Sequence, residues 1–214
     1  MLLNLEDLRE DYTRDQLTFE DTDPNPLLQF ERWFKAAEQS PVNEPNAMTL
    51  ATVGENGRPK ARIVLLKQVD EQGFVFFTNY DSQKGQDLEA NPFASLVFFW
   101  DVIQRQVRIE GRVEKIAKAD SEAYFQSRPK GSQIGAIASP QSQVIPSREV
   151  LQEKVTQLEK EYESEEQLPL PNNWGGYRLI PDCIEFWQGR SSRLHDRIRY
   201  RLEQNDWLRE RLAP

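Results

Sequence analysis

Between residues 48 and 113 the chain is a run of short β-patterned segments tied together by hairpin signals. Residues 48–53, 61–67 and 74–78 are rich in β-branched and aromatic side chains, the composition of strands. Glu55-Asn56-Gly57-Arg58-Pro59 carries the Asn-Gly turn signal, and Asp70-Glu71-Gln72-Gly73 is a second tight turn. Links this short join antiparallel neighbours, because a parallel pair needs a crossover of a dozen residues or more. The three segments therefore read as an antiparallel meander. Residues 93–100 are almost wholly apolar, which predicts a strand buried on both faces, and residues 105–113 alternate as a half-buried strand does.

Helical patterns surround this block. Asp23-Pro24-Asn25-Pro26 opens a helix, with Pro26 in the first turn where its missing N–H costs nothing. Leu27, Phe30, Trp33 or Phe34, and Ala37 form its apolar face, and it ends near Gln39. Residues 82–90 form a short helix stopped by Asn91-Pro92. Residues 119–127 form another, capped by Asp120 or Ser121, and Ser132 caps a third that runs to Ala138. Residues 147–166 read as a long amphipathic helix with Leu151, Val155, Leu158 and Tyr162 on one face. Strands at 176–180, 183–187 and 198–203 complete about eight, mostly hairpin-linked, without the strand–helix alternation of a parallel sheet. The expected fold class is mainly β (α+β), a closed or partly closed antiparallel barrel with peripheral helices. Residues 1–25 read as an N-terminal arm, in which Leu5, Leu8 and Tyr12 share helical spacing, and residues 26–214 as one domain.

A net charge of -8 argues against general nucleic-acid affinity, and no apolar run approaches the roughly 18 residues of a membrane span. The N-terminus lacks the pattern of a secretory signal. Cys183 and His195 are single, too few for an internal disulfide or a typical zinc site, so no metal is expected. A reducing cytoplasm is the expected compartment. The charge is uneven, however. Residues 190–211 hold seven arginines against four acidic residues, which points to a local anion site.

Three segments could receive anions. Arg193, His195 and Arg197 alternate, so an extended backbone would point them to one face. Lys84 sits in the first turn of its helix, unfavourable against the macrodipole unless an anion is bound there. Tyr124, Arg128, Lys130 and Ser132 cluster at a helix break and make a phosphate cradle. Arg62 and Lys67 flank an apolar strand, but positions five apart face opposite ways under strict alternation. Taken singly, each segment also fits a solvated edge or a snorkelling strand end. No dinucleotide fingerprint, P-loop or nucleophile elbow is present, which directs the redox or group chemistry to an organic cofactor.

Several motifs occur in order along nearly the whole chain. They include Arg62-Ile-Val-Leu-Leu-Lys67, Tyr124-Phe-Gln-Ser-Arg-Pro129, Ser132-Gln-Ile-Gly135, Trp174-Gly-Gly176, Glu185-Phe-Trp-Gln-Gly189, Arg193-Leu-His-Asp-Arg197 and the terminal Arg211-Leu-Ala-Pro214. This series resembles the pyridoxine/pyridoxamine 5'-phosphate oxidase family. The resemblance implies an FMN-binding split β-barrel working as a homodimer, with FMN at the subunit interface. It implies FMN contacts from Arg62, Ile63, Val64, Leu65, Leu66, Lys67, Phe77, Thr78, Gln83, Lys84, Gln106, Gln141, Ser142, Trp187 and Arg197. It implies substrate contacts from Lys67, Tyr124, Arg128 and Ser132 to the phosphate, and from Arg193, Leu194 and His195 around the pyridine ring. Arg9 and Tyr12 match a segment that closes over the site. Arg193 and His195 would be the catalytic pair, orienting substrate and stabilising charge, with His195 not an obligatory base. The implied reaction oxidises pyridoxamine 5'-phosphate and pyridoxine 5'-phosphate to pyridoxal 5'-phosphate, with oxygen as acceptor. Gln83 stands where many relatives carry arginine, which leaves Arg62 and Lys84 as the main FMN-phosphate contacts. Rival readings are a flavin reductase or heme-handling barrel, a non-enzymatic cofactor carrier, and a nucleic-acid-binding barrel.

Overall fold

The computed structural model describes residues 11–214, so Leu5, Leu8 and Arg9 lie outside the described residues. Helix α1 (Pro26–Glu38) begins as its sequence dictates. Asn25 is extended and its side chain accepts from the Leu27 N–H at 2.9 Å. The buried stripe is Pro26, Gln29, Phe30, Trp33 and Ala37. Gln29 joins it because its Oε1 accepts the Asp23 N–H at 2.8 Å.

The strands are β1 (Ala47–Val53), β2 (Pro59–Leu65), β3 (Gln68–Asp70), β4 (Gly73–Asn79), β5 (Phe93–Trp100), β6 (Arg105–Lys115), β7 (Trp174–Gln188), β8 (Asp196–Glu203) and β9 (Asp206–Leu212). Helix α2 (Gln83–Ala90) lies between β4 and β5, and α3 (Lys118–Ser127), α4 (Lys130–Ala138) and α5 (Arg148–Glu161) lie between β6 and β7. The strand order is β2-β1-β5-β6-β7-β4-β3, with β8 on β7 and β9 on β8. This is the expected antiparallel split-barrel sheet, with five α-helices among the described residues.

Four local expectations need correction. The meander is broken, since β4 pairs with β7 (Phe77 opposite Gly176). Phe74, Val75 and Phe76 are all buried, and a strand apolar on both faces belongs inside a sheet. Strand β5 is not buried on both faces. Leu96, Phe98 and Trp100 turn inward on alternate positions, while Phe93 and Phe99 are 53% and 54% exposed. The two strands expected at 176–180 and 183–187 are one, β7. Its pairing passes from β4, ending at Leu179, to β8, starting at Cys183. Pro181 sits in that gap, where neither of these ladders needs an N–H and proline has none to give. Strand β9 had no reading in the sequence. It follows a two-residue turn in which Gln204 and Asn205 both have positive φ, the geometry of a tight hairpin.

Helix starts also differ. Ala117 precedes α3, and the Ser121 hydroxyl instead accepts the Gly176 N–H at 3.1 Å. Pro129 precedes α4, placing Ser132 inside its first turn. Helix α5 stops at Glu161, short of 166, and Leu151, Val155, Leu158 and Tyr162 pack as expected against Phe125, Ile134, Ala138, Leu168 and Trp174.

By its internal contacts the chain forms two compact units. Of the described residues, the first holds 11–50, Ser95–Gly111 and Pro181–Pro214; the second holds Ala51–Ala94 and Arg112–Ile180. In the first, Phe30 packs edge-on to Phe98 at 5.1 Å and Trp33 to Phe186 at 5.2 Å. Among the described residues no helix is long and apolar enough to cross a membrane.

Candidate active site

The second unit contains a cleft of about 750 Å³, within the usual range of small-molecule sites. Arg62, Ile63, Val64, Leu65 and Lys67 form one part of its wall, with Phe77, Thr78, Lys84, Tyr124, Arg128, Ser132, Gln141 and Trp174. Four cations line it, and no aspartate or glutamate does among the described residues. Arg62 and Lys67 share the cleft despite their opposite parity. Strand β2 ends at Leu65, so the alternation stops before Lys67. Leu66 is buried and turns away from the cleft.

Lys84 is 8% exposed at the start of α2, after the Ser82 cap. Its ammonium donates to Gln141 Oε1 at 2.8 Å, Thr78 Oγ1 at 3.1 Å and Ser82 Oγ at 3.3 Å. All three partners are neutral. Burial, and then the nearby Arg62 guanidinium, lower its pKa to about 8. A buried lysine beside another cation at a helix N-terminus is a poor arrangement without an anion and a good one with it.

At the other set of donors, Tyr124 stacks on Phe77 at 3.9 Å, and Phe77 on Trp174 at 5.5 Å. The Arg128 guanidinium lies 4.9 Å from the Trp174 ring centre. Its Nη1 is buried without a hydrogen-bond partner among the described residues, and burial pushes the guanidinium pKa down. A buried guanidinium N–H with no acceptor is costly, and a phosphate oxygen would satisfy it. Trp174, Asn79 and Ser139 also line the cleft, and no sequence signal had marked them as site residues.

The first unit holds Tyr12, Gln106, Trp187, Arg193, Leu194, His195 and Arg197. Tyr12 packs edge-on to Trp187 at 5.9 Å, and His195 lies 4.6 Å from Trp187. Gly189 is required here, because a Cβ would lie 2.8 Å from the Tyr12 ring. Asp11 accepts the Ser192 N–H, Asp15 pairs with Arg105 at 2.7 Å, and Asp196 accepts the Leu17 N–H. Residues 11–17 are thus pinned to the turn after β7 and to the starts of β6 and β8. Arg193 and Leu194 are exposed. The expected single face of Arg193, His195 and Arg197 is not present, because Ser192 and Arg193 have positive φ and β8 starts only at Asp196. Arg197 pairs with buried Glu185 at 2.8 and 3.1 Å and donates to the Ala213 carbonyl, which fixes the plane of its guanidinium.

Some expected contacts fall elsewhere. Gln83 does not line the cleft; its amide donates to Asp87 at 3.1 Å. Ser142, with φ 71°, is exposed and outside the lining, and Gln106 lies on β6 in the first unit. Lys130 donates to the Glu163 and Glu165 carbonyls instead of completing the cradle. Among the described residues no His, Cys, Asp and Glu group could hold a metal ion.

A split barrel with a cation-lined cleft, free of carboxylates among the described residues, and an aromatic stack suits anionic, planar small molecules. A family model described as pyridoxamine 5'-phosphate oxidase matches residues 34–162. A second, described as the pyridoxine 5'-phosphate oxidase C-terminal dimerisation region, matches residues 174–214. The chain is 55% identical over 214 residues to the pyridoxine/pyridoxamine 5'-phosphate oxidase of Cyanothece sp., covering 100% of both. It is 57% identical over 217 residues to that of Pseudomonas putida, again covering 100% of both. The chain belongs to the pyridoxamine 5'-phosphate oxidase family. Among solved structures, PhzG from Burkholderia lata, in complex with tetrahydrophenazine-1-carboxylic acid, matches with TM-score 0.88 and 31% identity, over 94% of this chain and 100% of that one. A pyridoxamine 5'-phosphate oxidase-related, FMN binding protein from Nostoc punctiforme matches with TM-score 0.70 and 20% identity, over 89% and 98%, a likeness of fold.

Proposed function

We propose that this chain is an FMN-dependent oxidase that converts pyridoxamine 5'-phosphate and pyridoxine 5'-phosphate to pyridoxal 5'-phosphate, working as a homodimer in the cytoplasm. Oxygen is the terminal acceptor. Hydrogen peroxide is released in both cases, and the amine also consumes water and yields ammonia. The observation that carries this reading is the cleft with two sets of anion donors and, among the described residues, no carboxylate. Arg62 and Lys84 form one set, and Arg128, Ser132 and Lys67 the other. Two sets suit two phosphorylated ligands. The names of relatives 55% and 57% identical over their full length support the same reading.

The residues present fit FMN. Among the described residues buried Lys84 lacks an anionic partner, Thr78 and Gln141 supply neutral hydrogen-bonding groups, and Ile63, Val64, Leu65 and Phe77 supply apolar wall. When bound, FMN supplies the two-electron acceptor that no side chain here provides. The chain's own share is positioning and electrostatics. Arg62 and Lys84 hold one phosphate, and Arg128, braced on Trp174, holds the substrate's. Arg193 orients the pyridine ring, and His195 offers it a hydrogen bond.

Purified protein should be yellow, release FMN on denaturation, and consume oxygen with either phosphorylated substrate. A colourless protein that ignores added FMN, or one that turns over only a reduced nicotinamide, would overturn the reading.

A further inference from the structure

We propose that Asp87, acting through Thr52, is a positioning residue that sets the Arg62 guanidinium for the phosphate of FMN; this rests on reading the cleft as an FMN site.

Asp87 lies on α2, three residues after Lys84, and is 2% exposed. Its Oδ1 accepts from Lys60 Nζ at 2.6 Å and from Gln83 Nε2 at 3.1 Å. Its Oδ2 accepts from the Thr52 hydroxyl at 2.9 Å. That hydroxyl in turn accepts from Arg62 Nη1 at 2.7 Å, while Arg62 Nη2 lies 3.8 Å from Oδ2. The direction of the relay is fixed. A carboxylate only accepts and a guanidinium only donates, so the one proton of Thr52 points to Asp87 and its lone pair to Arg62. One buried carboxylate therefore fixes the torsions of the guanidinium through a second, rigid β-branched residue.

The charge balance supports a ligand-directed role. Lys60 and Arg62 share the Asp87 carboxylate, and the Lys84 ammonium donates to three neutral groups, which leaves positive charge for an incoming phosphate. Asp87 itself does not line the cleft, so it does not repel that phosphate at contact. The backbone makes room for it: a Cβ on Gly54 would lie 2.5 Å from Asp87 Oδ1. Gln83 now has a place. Its amide serves the anchor of Arg62, not the ligand.

Titrating apoprotein with FMN and with riboflavin, which lacks the phosphate, tests this by quenching of flavin fluorescence. Thr52→Val keeps the shape and removes the hydroxyl; Thr52→Ser keeps the hydroxyl. Thr52→Val should weaken FMN binding about tenfold, the loss of one charge-assisted hydrogen bond. Riboflavin affinity should stay within about twofold, a change too small to count as a lost hydrogen bond. Thr52→Ser should bind both flavins as wild type does. Asp87→Asn should show the same selective loss as Thr52→Val, with calorimetry confirming that each apoprotein is folded. Equal weakening of both flavins, or no weakening of FMN, would overturn the positioning role and leave the network purely structural. A wild-type protein that binds riboflavin as tightly as FMN would instead overturn the phosphate reading of the cleft, and this inference with it.

Discussion

The Nδ1 atom of His195 accepts a hydrogen bond from the backbone N–H of Arg190 at 3.1 Å. A ring nitrogen that accepts from an amide carries no proton, so the neutral ring has its proton on Nε2. Burial, and then Arg193, lower the pKa of this ring below its ordinary value of 6.5. His195 is therefore a neutral hydrogen-bond donor at physiological pH, consistent with a role in substrate contact and not as an obligatory base.

Because His195 is the only histidine, its titration can be followed without overlap by NMR. Its midpoint should lie below 6.5. Between that midpoint and 6.5 the unfolded chain binds more protons than the folded one, so this group's contribution to stability rises with pH and is lost as pH falls through the window. A midpoint above 6.5 would contradict the Arg190 contact.

Lys84→Met should stabilise the apoprotein while weakening FMN. The variant removes a buried charge that has only neutral partners, and a gain of about 1 kcal/mol would raise Tm by about 2–4 °C. FMN affinity should fall by about tenfold to a hundredfold, the range for a lost hydrogen bond to a charged group. In the wild-type apoprotein the cost of burying this charge is complete below its pKa of about 8, and it is relieved as pH rises toward 10.5. FMN binding should thus take up a proton above about pH 8 and weaken with further increase. Calorimetry across pH reads both effects.

Arg128→Ala should raise KM for the phosphorylated substrates by about tenfold to a hundredfold, since the proposed phosphate contact is charge-assisted and would be made in the ground state as well as in the transition state. Arg128→Lys should restore little, because the flat guanidinium stacks on Trp174 and an ammonium does not. Steady-state kinetics on both substrates, with kcat and KM separated, checks this.

Gly189→Ala should loosen the N-terminal segment, because the new Cβ would meet the Tyr12 ring at 2.8 Å. The cost should be about 1–3 kcal/mol, the usual range for overpacking. Trypsin should then cut after Arg14 faster than in wild type, and the additional change Tyr12→Ala should relieve the clash. Mass spectrometry of timed digests reads the rate.

Much of the framework was legible in the residues. Asn25 and Pro26 announced α1, Asn56-Gly57 announced the turn between β1 and β2, and the period of Leu151, Val155 and Leu158 announced α5. These are local signals, set by backbone sterics and side-chain spacing within a few residues. Strand β9 escaped because its turn, Gln204-Asn205, carries no glycine and its residues are largely charged. What holds it is cross-strand pairing such as Arg199 with Glu210 and Arg211 with Asp196, which appears only once β8 lies beside it.

The cations were visible in the sequence, but their employment was not. Arg197 reads like its neighbours Arg193 and Arg199, yet Glu185 across the β7–β8 ladder takes its guanidinium. Arg62 and Lys67 show the limit most plainly. By itself the sequence determined an apolar strand with a cation at each end, and the two-residue period put those cations on opposite faces. Only the tertiary structure decided that the strand ends at Leu65, where Leu66 goes to the core and the Lys67 N–H turns to the Val75 carbonyl at 2.9 Å. Where a strand stops depends on the partner it meets, and that partner lies outside the local pattern. Both cations line one cleft for that reason.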